Sequence, residues 1–368
     1  MSISRRAFLS RAAAGGAATA VAGLGNSAAA LQRAPKPRLP EAMGLLYDST
    51  LCVGCKACVA GCKEANAMPV ERTADQAVWN SRVSSEQGDW VVRESGDQQP
   101  IWDTPKDTSG STLNVIKAYI NGTAETKDRE QDGFAFIKRQ CLHCNDPSCV
   151  SACPVSAMIK DPVTGIVSHD PGRCIGCRYC VFACPFGIPK FQYDTAFGRI
   201  AKCELCHHLI EKGELPGCVA SCPTGATLFG RVDDLEKEAR RRLRLKIGDT
   251  YVFPRGDING RYGPYNPPHE KVIRAEYRPE VYGDTVLGGT QTLYLSAVSF
   301  DRLGLPHGPH IPDAMYATQT EAVQHFLYTG MIAPAVVLTA LILIARHNAD
   351  AHDHEAEEVQ GHKADEGS

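Results

Sequence analysis

Sixteen cysteines stand in this 368-residue chain, and every one falls into a group of four. The groups are Cys52, Cys55, Cys58 and Cys62; Cys141, Cys144, Cys149 and Cys153; Cys174, Cys177, Cys180 and Cys184; and Cys203, Cys206, Cys218 and Cys222. The third reads Cys-x2-Cys-x2-Cys-x3-Cys-Pro from Cys174 to Pro185 without a mismatch. That spacing lets a short loop turn three thiolates toward three corners of one [4Fe–4S] cube, while the fourth cysteine leaves on the helix that follows. The implied chemistry is electron transfer. Disulfides fit poorly, because cysteines two residues apart make strained partners. Structural zinc accounts for a Cys-x2-Cys pair, but it gives no reason for a third cysteine two residues on or for Cys-Pro after three more. His143, His207 and His208 flank cysteines, as in a Rieske centre, yet no cysteine is missing for them to replace. They are read as supporting or surface residues.

The groups must be positioned by short elements, since Gly and Pro together are frequent (33 and 23 residues) and aromatic residues make up only 7%. A strand over 44–48 (Gly-Leu-Leu-Tyr-Asp) leads into the first group, whose fourth cysteine is followed by Lys63 in place of proline. Residues 63–140 are a long insert carrying Trp79, Trp90 and Trp102, with strand-like pieces over 89–93 and 118–120. They suggest a small β-rich subdomain whose tryptophans fill its own core or form a docking surface. Between the second and third groups, residues 155–170 read as strand, glycine turn and strand. After the fourth, Cys222-Pro223 runs into a further strand over 224–230. Phe182, Phe186, Phe191 and Tyr193 are expected to pack around the clusters and keep water out. Residues 233–325 begin with an amphipathic helix over 233–246, acids first and bases last as its dipole favours. Arg240, Arg241 and Arg242 are assigned to its solvated face. An extended stretch follows, with strands near 251–253 and 292–298.

Both ends carry addresses. Ser4-Arg5-Arg6-Ala7-Phe8-Leu9 resembles a twin-arginine export signal, followed by an Ala/Gly-rich apolar region and an Ala28-Ala29-Ala30 cleavage site, so 1–30 is expected to be a signal peptide. That route carries folded proteins, which suits clusters assembled in the reducing cytoplasm. Residues 31–43 form a Pro-rich linker. From Phe326 to Ala345 there is no charged residue. At about 1.5 Å per residue, that length spans a hydrocarbon core of about 30 Å. The acidic tail, 346–368, carries His347, His352, His354 and His362 and is expected to be a disordered, solvated segment.

Four such groups in this order resemble the four-cluster, ferredoxin-type iron–sulfur β-subunit family of respiratory oxidoreductases, over residues 44–345. Gly288-Gly-Thr-Gln-Thr-Leu-Tyr-Leu-Ser296 and Leu303-Gly-Leu-Pro306 resemble a segment common in that family. A twin-arginine signal on the chain itself, with a C-terminal membrane helix, is similar to the electron-transfer subunit of periplasmic hydrogenase-2. The resemblance implies an α+β fold of two pseudo-twofold, bacterial-type 2[4Fe–4S] ferredoxin units over 44–232, plus one transmembrane helix over 326–345. Groups two and three would form one unit; groups one and four, each half a unit, would join in space to form the other. It further implies four [4Fe–4S] clusters with crossed ligands: Cys52, Cys55, Cys58 and Cys222; Cys62, Cys203, Cys206 and Cys218; Cys141, Cys144, Cys149 and Cys184; Cys153, Cys174, Cys177 and Cys180. No catalytic residue is implied. The implied partners are hydrogenase small and large subunits and a polytopic quinone-reactive subunit of the inner membrane, with the cluster domain on the periplasmic side. A molybdopterin oxidoreductase such as formate dehydrogenase or tetrathionate or polysulfide reductase is the alternative partner. A redox-sensing module would need a DNA- or effector-binding domain, which the sequence does not suggest.

Overall fold

The computed structural model describes residues 36–69, 107–193, 198–263, 267–306 and, within 317–346, all but 319, 325–327, 329 and 333. It also gives the backbone of strands β2 (Val83–Ser85) and β3 (Gly88–Trp90), which form an antiparallel pair. The expected signal peptide, the beginning of the expected linker, the side chains of the three tryptophans and the histidine-bearing tail lie outside the described residues.

Residues 34–320 make one compact unit, organised by the strand that precedes the first cysteine group. Strand β1 (Met43–Asp48) is buried at every position, as its unbroken apolar run requires of a central strand. It lies antiparallel to β11 (Thr227–Arg231), with Leu45 opposite Phe229. On its other side it runs parallel to β15 (Thr292–Leu295), with Tyr47 opposite Tyr294. A short β13 (Gly256–Asp257) completes the order β13-β11-β1-β15. Alternation along β1 sends its side chains to two different layers. Leu46, Leu228, Leu293 and Leu295 meet Val232, Leu235 and Ala239 of helix α6 (Val232–Arg242). Leu45, Tyr47, Phe229 and Tyr294 join the cysteine loops. The sheet is a partition between a helix and the cysteine loops.

Helix α6 departs from expectation at its basic end. Arg240 and Arg241 are exposed and pair with Glu236, Asp284 and Glu238. Arg242 is not solvated: it has no exposure at all. It follows Leu235, Glu238 and Ala239 at helical spacing on the buried face. There its Nη1 meets Asp48 Oδ2 at 2.9 Å and its Nε meets Glu238 Oε1 at 2.8 Å. Its guanidinium lies 4.9 Å from the Phe253 ring centre, and Tyr277 donates to Asp48. Beyond α6 lies the antiparallel pair β12 (Thr250–Phe253) and β14 (His269–Val272).

The latter part of the insert does not stand apart. Strand β4 (Val115–Ile120) pairs antiparallel with β6 (Gly133–Arg139), which also holds β5 (Thr126–Lys127). Ile116, Tyr119, Phe136 and Ile137 share one apolar core with Cys58, Cys62 and Cys141.

Short helices carry five of the cysteines. Helix α1 (Ala57–Ala65) bears Cys58 and Cys62; α2 (Ser148–Ser151) bears Cys149. Helix α3 (Tyr179–Ala183) bears Cys180; α4 (His207–Ile210) follows Cys206; α5 (Gly217–Ala220) bears Cys218. Between α2 and α3 lies the hairpin β7 (Met158–Lys160) and β8 (Val167–His169), and after α3 the pair β9 (Lys190–Phe191) and β10 (Ile200–Ala201). Ser148 Oγ donates to the Ala183 carbonyl at 2.6 Å, tying α2 to α3. Helices α1 and α5 touch through glycine: a Cβ on Gly61 would overlap Ser221 Oγ and lie 2.7 Å from the Gly217 carbonyl oxygen. Gly61→Ala is therefore expected to cost about 1–3 kcal/mol as an overpacked contact, read as a lower unfolding midpoint. An unchanged midpoint would show that the two helices do not approach so closely.

In the second compact unit, residues 334–346 form a continuous helical stretch. Val336, Leu338, Ile342 and Leu343 on it are exposed. Among the described residues, no helix is long and apolar enough to cross a membrane.

Candidate metal centres

Each cysteine group begins with a loop that reverses hand at the same place. The residue before the second cysteine is left-handed in all four: Gly54 (φ 70°), His143 (φ 49°), Gly176 (φ 71°) and Leu205 (φ 53°). Glycine adopts this conformation freely, whereas His143 and Leu205 hold it at a cost of about 1–2 kcal/mol each. In the first and third groups the residue after the second cysteine is left-handed too, Lys56 and Arg178, and starts α1 and α3. Two of these turns leave a backbone N–H pointing at sulfur: Gly54 N lies 3.4 Å from Cys52 Sγ and Leu205 N 3.4 Å from Cys203 Sγ. After the second group, Ala157 N lies 3.1 Å from Cys153 Sγ.

The thiols gather across groups. Burial pushes the Cys58 thiol up to about 12, and the nearby charges of Cys218, Cys52 and Cys222 add to the rise. Cys52 is likewise raised by burial and by Cys222; Cys55 is exposed. Cys62 is pushed up to about 12 by burial, then by Cys218 and Cys206. Cys203 is raised by burial and by Cys62, Cys141, Cys218 and Cys206. Burial and the charges of Cys184 and Cys141 raise Cys144 and Cys149. Cys180 is pushed up to about 12 by burial, then by Cys153, Cys177 and Cys174. Cys58 thus lies near Cys218, and Cys203 near Cys141, so the thiol gatherings adjoin one another.

Two of these gatherings line recesses. Cys62, Cys203, Cys206 and Cys218 line one recess, which reaches Asn66 and Gln140. Cys153, Cys174, Cys177 and Cys180 line the other. Among the described residues, no three Cys, His, Asp or Glu side chains close on a single point as one metal ion requires. The donor chemistry fits a larger, positively charged iron–sulfur core. Thiols this deeply buried resist ionising beside one another, and metal coordination removes their protons outright. Asn66 Nδ2 faces both Cys62 and Cys206 sulfurs, at 3.6 and 3.8 Å. The fully buried Gln140 amide has no partner on either atom.

The histidines take other tasks. His143 is buried, and its Nδ1 accepts from Val167 N at 3.0 Å. Burial and the Lys202 and Lys160 cations hold its pKa down, keeping it neutral. His208 Nε2 lies 3.0 Å from the Ala65 carbonyl oxygen. The aromatic expectation divides. Phe186 is buried, whereas Phe182 and Tyr193 are 85% and 71% exposed and do not exclude water. Phe182 sits on α3 opposite to buried Cys180, and Tyr193 packs edge-on to Phe191 beneath the Arg178 guanidinium.

Sequence reasoning missed a buried lysine. Lys138 has no exposure. Burial opposes its charge, but the Cys218, Cys58 and Cys203 sulfurs outweigh that and hold its pKa above the usual lysine value. The signal was its place on β6, in phase with Phe134 and Phe136.

Residues 133–232 match the family described as 4Fe-4S dicluster domain. Over 358 residues the chain is 39% identical to the hydrogenase-2 operon protein HybA of Escherichia coli O157:H7, covering 95% of this chain and 98% of that protein. It is 32% identical to the formate dehydrogenase-O iron-sulfur subunit of Escherichia coli K12, over 58% of this chain and 61% of that one. The nitrate-inducible formate dehydrogenase iron-sulfur subunit of the same organism is 33% identical over 64% and 70%. With its thiols gathered in buried sets and near-complete coverage of HybA, the chain belongs to the HybA-like family of [4Fe–4S] iron–sulfur subunits.

Proposed function

We propose that the chain relays electrons through four [4Fe–4S] clusters between a periplasmic nickel–iron hydrogenase, its small and large subunits, and a polytopic quinone-reactive membrane subunit. The observation that carries this reading is the sequence of adjoining thiol sets. The ligand sets proposed on them are Cys52, Cys55, Cys58 and Cys222; Cys62, Cys203, Cys206 and Cys218; Cys141, Cys144, Cys149 and Cys184; and Cys153, Cys174, Cys177 and Cys180. Cys58 beside Cys218 links the first to the second, Cys203 beside Cys141 the second to the third, and the α2–α3 contact the third to the fourth. Strand pairing of β1 with β11 supports a second ferredoxin unit built from the outer groups. Bound clusters supply one-electron redox centres whose potentials respond to hydrogen bonds and local charge. The protein holds them with thiolates, aims Asn66 and backbone N–H groups at the sulfurs, and buries most of the ligands away from water.

A hydrogenase partner is supported by the 39% identity to the hydrogenase-2 operon protein along nearly the whole chain. A second reading, service to a molybdopterin oxidoreductase, is supported by the shorter similarity to formate dehydrogenase iron-sulfur subunits. Export by the twin-arginine signal and a single anchor over 326–345 complete the proposal, with the cluster unit outside the cytoplasm. The apolar, exposed side chains of the helical 334–346 stretch support the anchor.

Metal analysis of the complex, purified anaerobically from membranes in detergent, tests the reading. On the order of sixteen irons per copy of this chain, four per cluster, are expected after subtracting those of the other subunits, with nickel in the complex. Molybdenum in place of nickel would move the chain to the second reading. Stoichiometric zinc with little iron on the isolated chain would overturn both.

A further inference from the structure

We propose that the side-chain amide of Gln140 donates a hydrogen bond to a sulfur of the cluster held by the second set, raising the reduction potential of that cluster alone. The inference rests on the ligand set Cys62, Cys203, Cys206 and Cys218 proposed above, and it concerns a neutral donor.

The recess lined by these four cysteines is also lined by three amide-bearing residues, Asn66, Asn114 and Gln140. Two of the three amides are already engaged. Asn66 Nδ2 donates to the Cys62 carbonyl at 2.7 Å while facing the Cys62 and Cys206 sulfurs. Asn114 Nδ2 lies 3.3 Å from the Cys58 carbonyl oxygen. Gln140 differs from both. It has no exposure, and neither its Nε2 nor its Oε1 has a hydrogen-bond partner among the described residues. Burying an amide unpaired is costly, because its bonds to water are lost and nothing replaces them. The recess is the space beside Gln140 that can hold a partner, and the acceptors that an iron–sulfur cluster brings are sulfur atoms. The backbone leaves the side chain little freedom, since Gln140 follows directly on β6 and directly precedes Cys141 of the third set. The recess of the fourth set has no such amide; His169 and Arg178 are its polar lining apart from the cysteines.

Reduction adds negative charge, and a hydrogen bond to the more negative sulfur is the stronger one. An N–H donated by Gln140 therefore favours the reduced state, which is how hydrogen bonds to sulfur raise a cluster's potential. Loss of the donor lowers it again.

Potentiometric EPR on the complete complex tests this, comparing wild type with Gln140→Leu and Gln140→Met. The signal to follow is the one that Cys62→Ser removes. In both variants its reduced-to-oxidised ratio at a fixed solution potential should fall about tenfold, equivalent to about 59 mV for a one-electron couple. The cluster of the third set is the internal control, because a mere packing disturbance next to Cys141 would move it. An unmoved second cluster, or a third cluster that falls as far, would overturn the proposal. Wild-type protein labelled with 15N at glutamine side-chain amides supplies a readout that does not depend on how the variants fold. Among the described residues no other glutamine lines that recess, so nitrogen coupling on the same signal is expected, and its absence overturns the inference. A separate comparison keeps the two claims apart. If Cys62→Ser and Cys203→Ser remove different signals, the ligand set fails and takes this inference with it. If they remove the same signal, and that signal neither shifts in the variants nor couples to the label, Gln140 alone fails.

Discussion

Replacing Cys222 by Ser is expected to damage the cluster held by Cys52, Cys55 and Cys58, about 160 residues away in sequence, and to spare the one held by its own neighbours. Cys222 follows α5 and immediately precedes the turn into β11, and β11 lies against β1, which feeds the first loop. Its charge is felt by Cys52 and Cys58. By contrast, Cys203 and Cys206 sense Cys218 and, for Cys203, Cys62. A serine ligand holds iron weakly, so the expected result is loss of one to about four irons and of one EPR signal, with Cys62→Ser removing a different signal. A Cys222→Ser protein that keeps the first signal and loses the Cys203, Cys206 and Cys218 signal would show that each group serves itself.

Arg242→Met is expected to destabilise the cluster-bearing unit by roughly 3–5 kcal/mol, because it strands the buried Asp48 carboxylate without its cation and leaves buried Glu238 with Arg241 alone. Stability of native domains is about 5–15 kcal/mol, so this single change removes a large share. Asp48 retains Tyr277 and Thr50 as donors, and Glu238 retains Tyr251, which limits but does not cancel the loss. Adding Asp48→Asn and Glu238→Gln should return much of it, since neutral amides no longer need the guanidinium. Denaturation of the loaded protein under anaerobic conditions measures both. A change under about 1 kcal/mol would mean that Arg242 behaves as an exposed pair does.

The cysteine spacings made the cofactor class legible, and the orphaned half-motifs at either end of the cluster region pointed to β1 beside β11. Those signals are local and chemical. The parallel neighbour β15 left no such trace: Thr292–Leu295 reads as a strand, but nothing in a strand names a partner so far away in sequence. The buried charges were illegible for a related reason. Arg242 looks like the third of three basic residues on a surface helix until Asp48, at the end of another element, is brought against it. Lys138 looks like the polar end of a strand until two cysteine groups meet around it. Phe182 misled in the opposite direction, since an aromatic residue beside a ligand cysteine reads as shielding and yet faces out. The helix after β11 ends at Arg242, short of the expected residue 246, because the chain turns there through Leu243–Leu245.

The placement of β1 between β11 and β15 also sets a timetable for biogenesis. The first strand out of the ribosome must wait for partners made about 180 and 250 residues later. At roughly 5–20 residues per second, β1 stays unpaired for roughly 9–50 s, and no local contact can shorten that. During the wait its apolar Met43–Tyr47 run is an open edge, prone to sticking. On the proposed ligand sets, metal insertion into the first set would have to wait until Cys222 has emerged. Pairing of β1 is therefore completed late in synthesis, and a holding chaperone that covers residues 43–48 would act at the moment of greatest exposure.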